Sequence, residues 1–139
     1  MIVLDTNVVS ELMRPQPSRP VTTWLDAQLP ADLHVTSITA AEIHFGIACM
    51  TEGRRRADLR ERFNGFLDLG FAGRILDFTA ESAKSYGPLM AARRAAGRPI
   101  SAPDGQIAAV CRARGARLAT RNVKKFEDCG IDVVNPFEA

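Results

Sequence analysis

Residues 1–12 read MIVLDTNVVSEL, and this stretch decides the fold. Ile2, Val3 and Leu4 form a short aliphatic run with no polar alternation, the signature of a strand buried on both faces. Asp5 ends the run. Thr6 or Asn7 can then cap a helix, which Arg14-Pro15-Gln16-Pro17 stops. A buried strand passing directly into a helix is the opening unit of a parallel sheet.

The same alternation continues outward from that unit. A helix is expected over Val21 to Leu29 with Trp24 and Leu25 facing inward, then a strand over Leu33 to Thr36. A nearly all-apolar helix follows from about Ile38 to Met50. Arg54 to Leu69 is amphipathic, with Leu59, Phe63, Phe66 and Leu67 at helical spacing. Arg74 to Phe78 reads as a strand and Ala80 to Ala96 as a long helix, with Gly87-Pro88 as the place for a kink. A helix over Ala102 to Arg114, a strand over Arg117 to Thr120, a helical turn at Val123 to Phe126 and a strand over Ile131 to Val134 complete the series. The expected fold is α/β, a parallel sheet covered by helices on both faces, with ligands gathering at the carboxyl ends of the strands.

At 139 residues the chain is expected to form a single domain over 1–139. Its 46% hydrophobic and 24% charged content is that of a globular protein. No apolar run approaches the roughly 20 residues needed to span a bilayer, so no membrane partner is expected. The start lacks a basic segment followed by an apolar one, so no signal peptide is read. Cys49, Cys111 and Cys129 are widely spaced and odd in number, which fits neither a disulfide framework nor a zinc site. A reduced, cytoplasmic protein is the natural expectation.

Three acids stand apart from all other charge. Asp5 is the only charged residue in MIVLDTNVVS, Glu42 the only one in LHVTSITAAEIHFGIACMT, and Asp104 the only one in PISAPDGQIAAVC. A carboxylate in apolar surroundings is costly unless paired, and three together repel one another unless a cation sits among them. Such a set suits a hard divalent ion, Mg²⁺ or Mn²⁺, which takes oxygen ligands. Thr39-x-x-Glu42 and Ser101-x-x-Asp104 also match the capping box, in which the acid satisfies a helix start. That reading accounts for either acid singly, but not for Asp5 or for the shared lack of basic neighbours. His34 and His44 read as surface or half-buried residues rather than ligands. No Ser/His/Asp or Cys/His arrangement and no phosphate-cradling glycine loop is present.

Charge is unevenly spread. Residues 1–50 hold two basic residues against five acids, while the rest of the chain is net basic, with clusters at Arg54–Arg56, Arg93–Arg98 and Arg112–Lys125. An acidic site framed by basic surface suits a polyanion held by its phosphates. Charge runs taken alone also occur as plain solvated faces.

The blocks M-I-V-L-D-T-N-V-V-S-E at the start, T-A-A-E-I-H-F-G at Thr39–Gly46, A-P-D-G-Q-I-A-A at 102–109 and A-T-R-N at 119–122, down to the closing N-P-F, resemble the PIN-domain ribonucleases. The resemblance spans essentially the whole chain and is strongest to the VapC/FitB-like toxins of type II toxin–antitoxin modules. It implies an α/β/α sandwich and a metal-dependent ribonuclease whose acids map onto Asp5, Glu42 and Asp104. The chain departs from the family at a fourth position, where a further acid is usual. Asn122 is neutral and Lys125 stands where the later acid would be. Asn122 can still orient a metal-bound water, and three carboxylates can hold one ion.

The expected chemistry is hydrolysis of an RNA phosphodiester with one or two Mg²⁺ or Mn²⁺ ions. Asp5 and Asp104 are the first choice as ligands, with Glu42 as ligand or base. Thr6 is expected to steady Asp5, and Arg121 to clamp phosphate. The resemblance further implies a homodimer and a VapB/FitA-like antitoxin that places a basic residue near the acids, with operator DNA reached only through that partner. Apolar surface for self-association is expected on the first helices and on Arg54–Leu69. Two rival classes are a non-catalytic PIN-like module binding RNA or protein, and a HAD-type phosphatase. The second wants an acid two residues after Asp5, where Asn7 stands.

Overall fold

Ile2–Leu4 forms strand β1, all of it buried. In the computed structural model, which describes residues 1–139, β1 is the centre of a five-stranded sheet. Strand β2 (Leu33–Thr36) pairs on one side of it and β4 (Arg117–Ala119) on the other. Strands β3 (Ile75–Leu76) and β5 (Val133–Val134) form the edges, giving the order β3-β2-β1-β4-β5, and every pairing is parallel. Val3 lies opposite His34 on β2 and Leu118 on β4.

The two-residue period of β1 shows why it carries no polar side chain. Ile2 and Leu4 enter one hydrophobic cluster, with Val8, Val9, Val21, Ile47 and Phe63, while Val3 enters another, with Leu89, Ile107, Val110 and Phe126. The first cluster lies under helices α1 (Thr6–Leu12), α2 (Arg19–Asp26), α3 (Ser37–Ala48) and α4 (Arg54–Gly65). The second lies under α5 (Ala80–Ala95) and α6 (Ala102–Arg114). The result is the expected α/β/α sandwich.

The chain steps outward from β1 to β2 and β3, then crosses back to β4 and on to β5. This reversal falls between β1 and β4, and a crevice opens where strand order switches. Asp5 stands at the mouth of that crevice.

Several local expectations are corrected. Asp5 itself, rather than Thr6 or Asn7, caps α1, because its carboxylate reaches the Thr6 N–H. Helix α2 begins earlier, at Arg19, with Pro20 in the first turn where a missing N–H costs nothing, and it stops at Asp26. Helix α4 ends at Gly65, and Phe66–Gly70 continues as a π-helical turn. The edge strands are two residues each, shorter than the aliphatic runs that announce them. The Arg74 side chain donates to the carbonyls of Pro30, Leu33 and Gly70, so its charge joins loops rather than extending β3. Helix α5 runs on through Pro88, which lies exposed. Apolar α3 buries only Thr39 and Ile47 fully and leaves Phe45 71% exposed.

Candidate active site at the switch point

Backbone pairing sets the site's frame. The Asp5 N–H donates to the Ala119 carbonyl at 2.9 Å, which brings the carboxyl ends of β1 and β4 side by side. Asp5 and Thr120 are therefore neighbours, and the Thr120 hydroxyl donates to Asp5 Oδ2 at 2.7 Å. The Thr6 N–H donates to Oδ1 at 2.8 Å, and the Asn7 amide donates to Oδ2 at 3.3 Å. Asp5 is only 4% exposed, and all these donors are neutral. Burial pushes its carboxyl above the usual range; the Thr120 and Thr6 hydrogen bonds oppose this, and the charges of Asp104 and Glu42 add to it. Asp5 thus feels the charge of both other acids singled out in the sequence.

Glu42 projects from α3 and accepts from the Thr6 hydroxyl at 2.8 Å; that hydroxyl also lies 3.0 Å from Thr39 Oγ1. Thr6 holds Asp5 through its backbone and Glu42 through its side chain. It therefore joins two acids where the sequence suggested one. Helix α3 is capped by Thr36, whose Oγ1 accepts from the Thr39 N–H at 3.1 Å, so Glu42 plays no part in that cap. Asp104 does complete a cap. Ser101 Oγ accepts from the Asp104 N–H at 3.3 Å and donates to Oδ2 at 2.9 Å. The same Oδ2 also lies 3.2 Å from Lys125 Nζ.

The other candidates are placed differently. Asn122 meets the site through its backbone N–H, which donates to Thr120 Oγ1 at 3.1 Å. The Arg121 guanidinium lies 3.8 Å over the Phe137 ring and 3.7 Å from Glu11 Oε1, so it is turned towards α1 and the closing helical turn. Phosphate clamping by Arg121 requires it to leave both contacts. His34 faces the Asp32 carbonyl and His44 stands edge-on to Phe63, away from the acids.

Sequence reasoning missed four supports. Thr120 was visible only as a letter of A-T-R-N, and Asn7 only as a candidate cap of the first helix and as the neutral residue two after Asp5. Asn7 bridges the two halves, its amide donating to Thr120 at 3.1 Å and its oxygen accepting from the Arg121 N–H at 3.1 Å. Ser101 was read only as a capping partner. Glu11, buried, gathers the Ser18 N–H, Arg14 and Arg121. Its signal was an acid on the inner face of the first helix.

The donor set is all oxygen, which fits a hard divalent ion, and mutual repulsion at Asp5 is what such an ion relieves. In the arrangement seen, no three His, Cys, Asp or Glu side chains stand close enough to hold one ion together. Thr6 ties Glu42, while Ser101 and Lys125 tie Asp104. Closing around an ion requires one of these ties to loosen.

Beside the acids runs a groove of about 860 Å³. Thr6 and Glu42 stand at its acidic end, Met13, Ile43, Ile47 and Met50 line its walls, and Arg54, Arg55 and Arg62 of α4 flank it.

An α/β/α sandwich with a buried carboxylate, Asp5, at the switch point of an all-parallel sheet is the class defined here. The PIN domain profile matches residues 2–130. The chain is 44% identical to the VapC ribonuclease Y4jK of Sinorhizobium fredii over 138 residues, 99% of either chain. It is 38% identical to Toxin FitB of Neisseria gonorrhoeae over 137 residues, again 99% of each. A solved structure of FitAB bound to the IR36 DNA fragment superposes with a TM-score of 0.92 at 38% identity, covering 99% of this chain and 96% of that one. The chain belongs to the PIN-domain family, in its VapC/FitB branch.

Proposed function

We propose that this chain is the toxin of a type II toxin–antitoxin module and acts as a Mg²⁺- or Mn²⁺-dependent endoribonuclease. The observation that carries this reading is Asp5, a buried carboxylate at the switch point, held by neutral donors alone and repelled by Glu42 and Asp104. Family membership and the ribonuclease and toxin relatives support it.

Asp5, Asp104 and Glu42 are the residues that would hold the ion. A bound divalent ion supplies a water of lowered pKa and neutralises charge developing on the phosphate. The chain's own residues do the positioning. Thr120 and the Thr6 N–H fix the plane of the Asp5 carboxylate. Glu42, once released by the Thr6 hydroxyl, would serve as ligand to the ion or as base for the water. The basic surface of α4 and of Lys124 and Lys125 attracts the RNA backbone.

The groove suits the C-terminal segment of an antitoxin, its apolar side chains on Ile43, Ile47 and Met50 and a basic residue among the acids. Operator DNA is reached through that partner. A homodimer would cover the exposed Phe45 and the apolar face of α3 around it. A second reading, a binding module without catalysis, draws on one observation: the resting acids do not form a ready ion site.

One experiment separates the readings. Purified protein is incubated with RNA and Mn²⁺ or Mg²⁺, with and without EDTA, alongside Asp5→Asn/Asp104→Asn. Cleavage that needs the metal and is lost in the double variant is expected. Metal-dependent cleavage that persists in the double variant sinks the assignment, and no cleavage by wild type on any RNA favours the binder.

A further inference from the structure

The three acids are not balanced alike. Asp5 is met by hydroxyl, amide and backbone donors, and Glu42 by a hydroxyl, all neutral. Asp104 alone has a cation, Lys125 Nζ, at 3.2 Å. The lysine is not a stray surface charge. Its side chain is 41% exposed and its partner 19%. It sits in the short turn Val123–Phe126, anchored on one side by Phe126, which is buried in the α5–α6 cluster. On the other side the Lys125 N–H donates to the Asn122 carbonyl, the Asn122 N–H to Thr120 Oγ1, and the Thr120 hydroxyl to Asp5. A continuous chain of hydrogen bonds therefore runs from the backbone of Lys125 to the central carboxylate. An ammonium so placed is a fixed positive charge inside an acidic crevice, at a carboxylate oxygen an ion would otherwise take.

We propose that Lys125 fills, with its ammonium, a second cation position of the acidic site, so that the site takes one divalent ion per chain. The inference rests on the metal-dependent reading given above. Three carboxylates carry more negative charge than one divalent ion offsets, and Lys125 supplies the difference without a second ion.

The test counts ions. Wild type, Lys125→Met, Lys125→Gln, Lys125→Asp and the neighbouring control Lys124→Met are titrated with Mn²⁺, the free ion being read by electron paramagnetic resonance and the bound ion by calorimetry. Folding is checked by circular dichroism. Wild type is expected to bind one Mn²⁺, and Lys125→Met and Lys125→Gln to bind it roughly two- to fivefold more tightly, as loss of one partly exposed charge pair implies. Lys125→Asp is expected to bind two ions, with the spin-coupled spectrum of a pair. Lys124→Met should match wild type. Two ions on wild type, a single ion on Lys125→Asp, or equal tightening by Lys124→Met overturns the assignment of Lys125. No Mn²⁺ on wild type or on any variant overturns the metal reading itself.

Discussion

Gly105 of α6 packs so closely against α5 that an added Cβ would fall 2.3 Å from the Met90 sulfur and 3.2 Å from Tyr86. Across the sheet, α1, α3 and α4 instead line a groove of about 860 Å³. One helical layer is closed with small residues, Gly105, Ala108, Ala109 and Cys111 among them, while the other is built on large ones, Phe63, Phe66 and Phe71, and left open beside Glu42. The closed layer carries Asp104, one residue from its tightest contact. The open layer carries Glu42 on a helix with solvent on one flank. Rigidity and access are thus assigned to opposite faces, with Asp5 at the seam between them.

The sharpest way to break this comparison is at the seam. Asp104→Asn or Asp5→Asn should lower RNA cleavage by about a thousandfold, the several kcal/mol that ion-assisted charge stabilisation supplies. Initial rates on a labelled RNA at saturating Mn²⁺ check this, and a loss of less than about tenfold would detach that acid from the chemistry.

Within the open layer the packing is tight beneath the groove. Phe63→Ala removes a fully buried ring and should cost about 3–5 kcal/mol in urea unfolding. Gly105→Ala should cost about 1–3 kcal/mol through overpacking, relieved in part by movement of Met90. Met50→Ala, on the open wall, should cost under about 1 kcal/mol while weakening binding of an antitoxin peptide. If Gly105→Ala and Met50→Ala cost the same, the contrast between the layers fails.

The smallest effect is a pH trend. The Asp5 carboxyl is raised in the folded chain, chiefly by burial, so its ionisation opposes folding. What it lends to stability is whole below the ordinary value of 3.8 and is lost as pH rises through the raised folded value. Asp5→Asn should therefore melt close to wild type in acid and a few degrees higher at neutral pH, metal absent. Its amide keeps one acceptor for the Thr6 N–H. A melting-point gap that shrinks as pH rises would refute the sign. In the same spirit, Cys111, pushed up to about 12 by burial and by Asp5, should resist a thiol reagent that labels the exposed Cys49 at once.

The sequence made the central parts legible because they are local. Continuous aliphatic runs have only one use in a parallel sheet, and β2 and α6 fall on their expected bounds, Leu33–Thr36 and Ala102–Arg114. Asp5, Glu42 and Asp104 stood out because charge is rare where everything else is buried. Contacts between distant segments were not legible. Nothing near Arg121 announces that Phe137 will lie under its guanidinium. Lys125 was visible as a departure from the family, but only the burial of Phe126 shows why its ammonium reaches Asp104. The edge strands came out short because aliphatic propensity cannot tell an edge from a centre.

The bond from Thr120 to Asp5 joins residues 115 positions apart. On a ribosome adding about 5–20 residues per second, Asp5 emerges roughly 6–23 s before the hydroxyl that will hold it, and Asp104 also comes late. The groove, by contrast, is made from residues between Thr6 and Arg62. The groove proposed for an antitoxin is therefore synthesised first, and the bond that holds Asp5 forms last.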